Sequence, residues 1–133
     1  ICCADIEKIL SSFPMKDNVI KAAYKCVAKL HSNEKYDLFI PINTIRNYIQ
    51  KRITDEKIND DVYYFIDMVI DELLAEVLDI SGNVTRDLYR ERISLRSTII
   101  ASNFDEELDF LFKNKPYSHD RCKFTTLDVY LVD

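Results

Sequence analysis

The residue types that most often perform catalysis or bind metals are few and scattered in this chain. Its 133 residues include only two histidines and four cysteines, at His31, His119, Cys2, Cys3, Cys26 and Cys122. These residues lack the spacing of a zinc site, and the adjacent Cys2 and Cys3 are poorly placed to bind one ion together. The isolated histidines and serines form no pair of nucleophile and base. We therefore expect no enzyme activity, no cofactor and no metal, and free thiols in a reducing compartment.

The low content of glycine and proline narrows the possible folds. Gly82 is the only glycine, and the three prolines are Pro14, Pro41 and Pro116. A phosphate-binding loop needs several glycines in a short segment, and a β-sandwich or barrel needs many tight turns. Hydrophobic residues make up 47% of the chain and charged residues 31%, so the composition predicts a helical domain with a single core.

The ends and the hydropathy of the chain give two further expectations. No apolar run approaches the ~20 residues of a membrane span, and no signal peptide is visible, so we expect no association with a membrane. The chain begins at Ile1 rather than at a methionine, which indicates a trimmed chain or a fragment.

Hydrophobic spacing predicts a series of helices joined by polar segments. In the first part of the chain these are a short helix at 1–13, a basic amphipathic helix at 16–30, a polar linker at 31–37, a short helix that starts at Pro41 and a polar loop at 53–60. In the last part they are a basic connector at 89–94, a short helix at 95–102, a break at 103–105 followed by one or two helical turns, and an extended piece at 127–132.

The strongest pattern belongs to a central helix. From Val62 onward, apolar residues recur in steps of three and four, at 62, 65, 66, 69, 70, 73, 74, 77 and 80. This spacing predicts one amphipathic helix of about 22 residues, or ~33 Å. The pattern breaks at Gly82 and leaves two alternatives, because the glycine can end the helix or residues 83–88 can continue it.

The order short helix, long helix, short helix is the plan of the histone fold. Four segments of the sequence support this interpretation. AEVLDISGNVTRD at 75–87 and RISLRSTIIASNFDEEL at 92–108 resemble consecutive segments of histone 2A. FIPI at 39–42 is similar to the start of its first helix, and VYL at 129–131 to its docking segment. The resemblance implies an all-α histone fold in a handshake dimer, with an extended C-terminal docking tail.

The first part of the chain resembles a different histone. ICCADIEKI at 1–9 and AAYKCVAKL at 22–30 are similar to the C-terminal helices of histone 2B, in the same order. The whole chain therefore resembles the fused 2B–2A doublets of giant viruses of the marseillevirus type. The first two helices of the 2B-like half are missing from the sequence, so we expect them upstream or in another chain.

The resemblance implies three successive parts. Residues 1–36 hold the C-terminal helices of the 2B-like half and a linker, residues 37–112 the histone 2A-like fold, and residues 113–133 the docking tail. Val69, Leu73 and Val77 are expected in the dimer core, and Val129 and Leu131 at the docking contact.

The resemblance assigns DNA contacts to basic residues in the loops that flank the central helix. Arg92 matches the arginine that enters the minor groove, where DNA shape rather than base sequence is recognised. Lys57 takes the corresponding place in the preceding loop. Further candidates for phosphate contacts, each of which also fits an ordinary surface charge, are Arg90, Lys51 and Arg46.

Two positions depart from the family pattern. Thr44 and Gln50 stand where histone 2A carries arginines that contact DNA. Fewer phosphates would then be neutralised, and the wrapped DNA would be released at lower salt.

A set of acidic residues matches the acidic patch of histone 2A. Its six members are Asp71, Glu76, Asp79, Asp105, Glu106 and Glu107. A concentrated negative surface would receive an arginine or a basic tail, whereas the alternative is an ordinary solvated helix face. The nearby aromatic residues Tyr63, Tyr64 and Phe65 are expected to pack in a core rather than to stack on bases.

The resemblance implies a nucleosome core histone that wraps double-stranded DNA without sequence specificity, together with a histone 3–histone 4 type partner. We expect it in a virion and viral factory, or in the host nucleus or cytoplasm. A net charge of −5 argues against a DNA-binding protein, but DNA contact in a histone uses only loops and helix ends. Two alternatives share the fold: a transcription-factor subunit such as that of a CCAAT-binding factor, and an interaction module that does not wrap DNA.

Overall fold

The structure is a computed structural model that describes residues 1–12, 17–35, 37–54 and 56–113. Within these ranges it contains helices and no strand, as expected. The helices are α1 (Cys3–Leu10), α2 (Asp17–His31), α3 (Ile42–Gln50), α4 (Asp60–Asp87), α5 (Leu95–Phe104) and α6 (Glu106–Lys113). The order short, long, short in α3 to α5 agrees with the predicted plan. The extended piece predicted at 127–132 lies outside the described residues.

The chain divides into two compact units, Ile1–Leu74 and Ala75–Asp133, so that the residues of α4 are shared between them. The first unit combines α1, α2 and α3 with the first half of α4. Helices α2 and α4 contribute to the same core, on either side of the expected boundary at residue 36. The assignment of residues 1–36 to a 2B-like half stays a prediction about sequence relationship.

The core of the first unit lies between α2 and α4. Its buried members are Val19, Ala23, Cys26, Phe65, Met68 and Val69. The three from α2 are spaced by four and three residues, which places them on one face of the helix. Ala23 and Phe65 have no exposed surface, and both belong to this core. The rings of Tyr24 and Phe65 meet edge to face, with 5.1 Å between their centroids.

Polar contacts secure α1 and α2 to the rest of this unit. The Tyr24 hydroxyl donates a short hydrogen bond to the Glu7 carboxylate of α1, and this bond raises the pKa of Tyr24 to about 12. His31, at the end of α2, lies 3.0 Å from the Asp61 carboxylate at the start of α4. The packing of α1 is mainly apolar, through Ile6 and Leu10.

The central helix is longer than the apolar pattern alone predicts. It spans 28 residues and passes through Gly82 without a break, so residues 83–87 continue it to Asp87, in line with the second of the two alternatives. Gly82 does not have the positive φ of a glycine that ends a helix in the left-handed conformation. The helix closes at Tyr89, whose φ is 54°, with a hydrogen bond of 3.0 Å from the Arg90 amide to the Thr85 carbonyl.

The second unit contains α5 and α6, which follow this helix end in the sequence and pack on each other. Ser94 caps α5, because its hydroxyl accepts the Ser97 amide at 3.2 Å and the Ser97 hydroxyl accepts the Ser94 amide at 2.9 Å. Asp105 forms the predicted break and caps α6 by accepting the Leu108 amide at 3.1 Å. Leu108 and Ala101 are fully buried where the two helices pack.

The α2–α4 contact gives the first testable prediction. Ala23→Asp places an unpaired charge in the buried core that also holds Phe65 and should lower the free energy of unfolding by about 3 kcal/mol or more. The matched control is Ala28→Asp, because Ala28 is exposed on the same helix. Urea unfolding followed by circular dichroism measures both, and equal losses for the two variants would contradict this packing.

Candidate nucleic-acid interface and acidic surface

The connector between α4 and α5 is an exposed segment that contains two of the predicted DNA contacts. It holds Arg90 and Arg92, and both side chains are exposed. The closure of α4 at Tyr89 fixes one end of this connector, and the Ser94 cap of α5 fixes the other. A short exposed segment between two fixed helix ends can present arginines to a phosphate backbone at little entropic cost.

The basic residues of the first unit that are predicted to contact DNA differ in their exposure. Lys51 and Lys57 are exposed in the segment between α3 and α4, as a contact to phosphate requires. Arg46 is half-buried instead. Its guanidinium lies 3.5 Å from the Asp60 carboxylate and 5.4 Å from the centre of the Tyr63 ring.

Arg46 is thus engaged within the chain, and a DNA contact would compete with these interactions. Thr44 and Gln50, the two positions that depart from the family pattern, are exposed on α3. An arginine at either position would therefore extend into solvent without disturbing the core.

Three of the six predicted acidic-patch residues lie together in the second unit. Carboxylate oxygens of Glu76, Asp105 and Glu107 lie within 4.8 Å of one another. Glu76 comes from α4, Asp105 is the residue that caps α6, and Glu107 lies in the first turn of α6. Asp79 and Glu106 are exposed. The structure therefore concentrates negative charge where α4 and α6 meet.

Asp71 differs from the other predicted members, because only 3% of its surface is exposed. One carboxylate oxygen accepts the Phe39 amide at 2.9 Å, and the other has no hydrogen-bond partner among the described residues. Asp71 thereby ties the segment before α3 to the central helix. Asp71 is therefore buried, whereas the resemblance to histone 2A predicts that it is exposed in the acidic patch.

Asp67 is a buried acid that the sequence pattern does not reveal. It is fully buried, and neither carboxylate oxygen has a hydrogen-bond partner among the described residues. Burial, together with the negative charge of Asp71 one turn further along α4, raises the pKa of Asp67 from 3.8 to about 6. Burial also raises the pKa of the neighbouring Cys26 thiol to about 11, with a further contribution from Asp67.

The only sequence signal for this pair is the spacing of four residues that places Asp67 and Asp71 on one helix face. That spacing is common on solvated helices and does not distinguish a buried pair from an exposed one.

The predicted packing residues are placed as follows. Tyr63 and Phe65 are buried and Tyr64 is half-buried, which agrees with a packing role. Val69 is buried against α2, the helix assigned to the 2B-like half, and Leu73 packs at the edge of the same core. Val77 is half-buried.

The predicted docking residues Val129 and Leu131 lie outside the described residues. Among the helices that the structure describes, none is long and apolar enough to cross a membrane.

Comparison with known proteins reveals similarity to histones. The chain is 32% identical over 85 residues to a probable histone 2A of Arabidopsis thaliana, which covers 64% of this chain and 56% of that protein. It is 30% identical over 83 residues to the histone 2A.Z of Saccharomyces cerevisiae, which covers 62% of each. A histone 2A of Petroselinum crispum is 31% identical over 85 residues, 64% of this chain and 57% of that protein.

The chain has the histone fold. Its helix order agrees with that plan, and the similarity to histone 2A supports it over more than half of the sequence. The chain spans a little over half of the length of the first of these relatives. No family model matches the chain.

The buried Asp67 gives a prediction about pH. Its pKa is higher in the folded chain than in the unfolded chain, so its ionisation opposes folding and the cost grows as the pH rises from about 4 to 6. Asp67→Asn keeps the shape of the protonated acid and should raise the free energy of unfolding at pH 7.5 by about 2 kcal/mol, with little effect at pH 4.

The control for this experiment is Asp79→Asn, which changes an exposed acid on the same helix. Urea unfolding at several pH values measures the difference between each variant and the parent chain. A gain for Asp67→Asn that does not depend on pH would contradict the raised pKa.

Proposed function

We propose that this chain is a core histone of the histone 2A type that wraps double-stranded DNA within a nucleosome-like assembly. The observation that carries the proposal is the similarity to histone 2A and histone 2A variants along a chain that has the histone fold. Its role is structural, and it involves no catalysis.

Arg92 is the principal DNA contact in this proposal. It is exposed in a connector held at both ends, and its place after the long helix corresponds to the minor-groove arginine of histone 2A. Arg90, Lys51 and Lys57 add phosphate contacts. Arg46 contributes less, because Asp60 and the Tyr63 ring already engage its guanidinium. Contacts of this kind recognise DNA shape and charge rather than base sequence.

The negative net charge is compatible with DNA binding because the charges are segregated. In the second unit, the arginines follow the end of α4, whereas Glu76, Asp105 and Glu107 gather at its junction with α6. We assign this acidic surface to the binding of a basic peptide or tail. Concentrated carboxylates favour arginine through bidentate, charge-assisted hydrogen bonds.

We further propose that α1 and α2 are the C-terminal helices of a 2B-like half, and that the chain is part of a fused doublet of the giant-virus type. Support comes from the α2–α4 core, in which Val19, Ala23 and Cys26 pack on the long helix of the 2A-like half. Leu74 and Leu78 of α4 are exposed, and further helices of a 2B-like half would cover them.

A histone 3–histone 4 type partner completes the proposed assembly, with residues 113–133 as the docking tail. The corresponding locations are the virion and viral factory, or the host nucleus or cytoplasm. The two alternative functions, a transcription-factor subunit and a module that does not wrap DNA, make a different prediction. Neither would protect a nucleosome-length DNA fragment from nuclease when assembled with histone partners.

A salt titration tests the DNA surface. Arg92→Ala removes one phosphate-neutralising contact and should flatten the slope of log affinity against log salt by about 0.9. DNA ends should therefore unwrap at lower salt than in the parent assembly, as measured by energy transfer between labelled DNA sites. Thr44→Arg and Gln50→Arg should each shift unwrapping to higher salt.

The matched control is Lys25→Ala, which removes one positive charge from the exposed face of α2, away from both loops in sequence. It should leave the slope unchanged. If Arg92→Ala unwraps at the same salt as the parent assembly, the connector does not face DNA.

A peptide titration tests the acidic surface. Glu76→Gln with Glu107→Gln should weaken the binding of an arginine-rich peptide, measured by fluorescence anisotropy, and should leave the salt needed for DNA unwrapping almost unchanged. The control pair, Glu56→Gln with Glu91→Gln, makes the same change in net charge at exposed positions elsewhere. Equal loss of peptide binding in both pairs would show a general charge effect rather than a site.

A further inference from the structure

Tyr89 has an unusual backbone conformation for its residue type. Its φ of 54° lies in the left-handed region, which bulky side chains rarely adopt. The position follows the last turn of α4, where glycine is the usual residue because it has no side chain to clash. Tyr89 therefore closes a helix at a conformational cost that glycine would avoid.

Packing does not account for this tyrosine. The residue is 96% exposed, which makes it the most exposed of the large hydrophobic residues that the structure describes. A bulky aromatic ring in a strained backbone position, in contact with solvent, contributes nothing evident to the stability of the fold. Strained residues of this kind often mark binding sites, where the contact they make compensates for the strain.

The backbone holds Tyr89 in a defined place. Its amide donates to the Arg86 carbonyl at 3.0 Å, and the next amide, of Arg90, donates to the Thr85 carbonyl at 3.0 Å. Thr85 is itself buried and bonded through its hydroxyl to the Ser81 carbonyl at 2.7 Å. The ring thus projects from a fixed helix end, three residues before Arg92.

We propose that Tyr89 contacts the DNA backbone beside Arg92, with its ring against a deoxyribose and its hydroxyl donating to a phosphate oxygen. This inference rests on the proposed function and adds a DNA-contacting residue to it. The neighbouring exposed arginines at 90 and 92 favour a polyanion over a protein surface as the occupant. Tyrosine suits this place because it combines an apolar ring with a hydroxyl that can bond to phosphate.

A contact of this type has a distinctive signature. It adds affinity without neutralising a phosphate, so its loss should change the affinity but not the salt slope. The loss of Arg92 should change both. The two residues can therefore be distinguished in one series of measurements on the full chain, assembled with its histone partners on a mixed-sequence duplex of about 150 base pairs.

The first experiment replaces the ring and relieves the strain together. Tyr89→Gly should raise the melting temperature of the chain and weaken DNA binding roughly three- to tenfold at constant salt, with an unchanged salt slope. Tyr89→Phe keeps the ring and should retain part of the affinity. A Tyr89→Gly variant that is more stable and binds DNA as well as the parent chain would overturn the proposal.

The second experiment reports on the ring itself. The chain contains no tryptophan, so Tyr89→Trp introduces a single tryptophan. Adding DNA should quench its fluorescence and shield it from acrylamide. The control is Phe104→Trp, at an exposed position beside the acidic surface, which should respond little.

The remaining outcomes separate this inference from the proposed function. Shielding of the new tryptophan by the histone partners before DNA is added would overturn the DNA contact in favour of a protein contact. If DNA binding persists and depends on Arg92 but not on residue 89, only the inference about Tyr89 fails. If the assembly does not bind DNA at all, both fail.

Discussion

The contact between α2 and the first half of α4 is the interaction on which the first unit depends. Ala23 of α2 and Phe65 of α4 are both completely buried in this core. Cys26 and Val19 extend this contact on either side. Without α2, the buried apolar stripe of α4 would be exposed to water. The helix would then lose stability, because an amphipathic helix depends on the covering of its apolar face.

The long helix then determines where the charged residues lie. The helix continues through Gly82 to Asp87, so the connector with Arg90 and Arg92 begins only after its last turn. In the second unit, the same helix brings Glu76 to the carboxylates at the start of α6. Acidic and basic side chains thus occupy different parts of the second unit, so an acidic chain can still present a locally basic segment.

Two residues, Asp67 and Tyr89, lie in environments or conformations that lower the stability of the fold. Asp67 is a buried carboxylate without a hydrogen-bond partner among the described residues, and its raised pKa reflects the cost of keeping a charge there. Tyr89 holds a left-handed conformation while its ring is in solvent. Asp67 is explained by no contact in the described part of the chain, whereas the place of Tyr89 beside two arginines supports a role in binding.

The sequence by itself determined the helices, because hydrophobic spacing, Pro41 and the capping residues Ser94 and Asp105 act locally. It also indicated the histone fold, through segments of the 2A-like half. Tertiary structure alone decided which acids are exposed. Asp71 and Asp67 look like surface residues in the pattern but are buried, because burial depends on what packs across the helix. The sequence likewise did not predict the left-handed backbone conformation at Tyr89, because this conformation depends on the hydrogen bonds that close the end of α4.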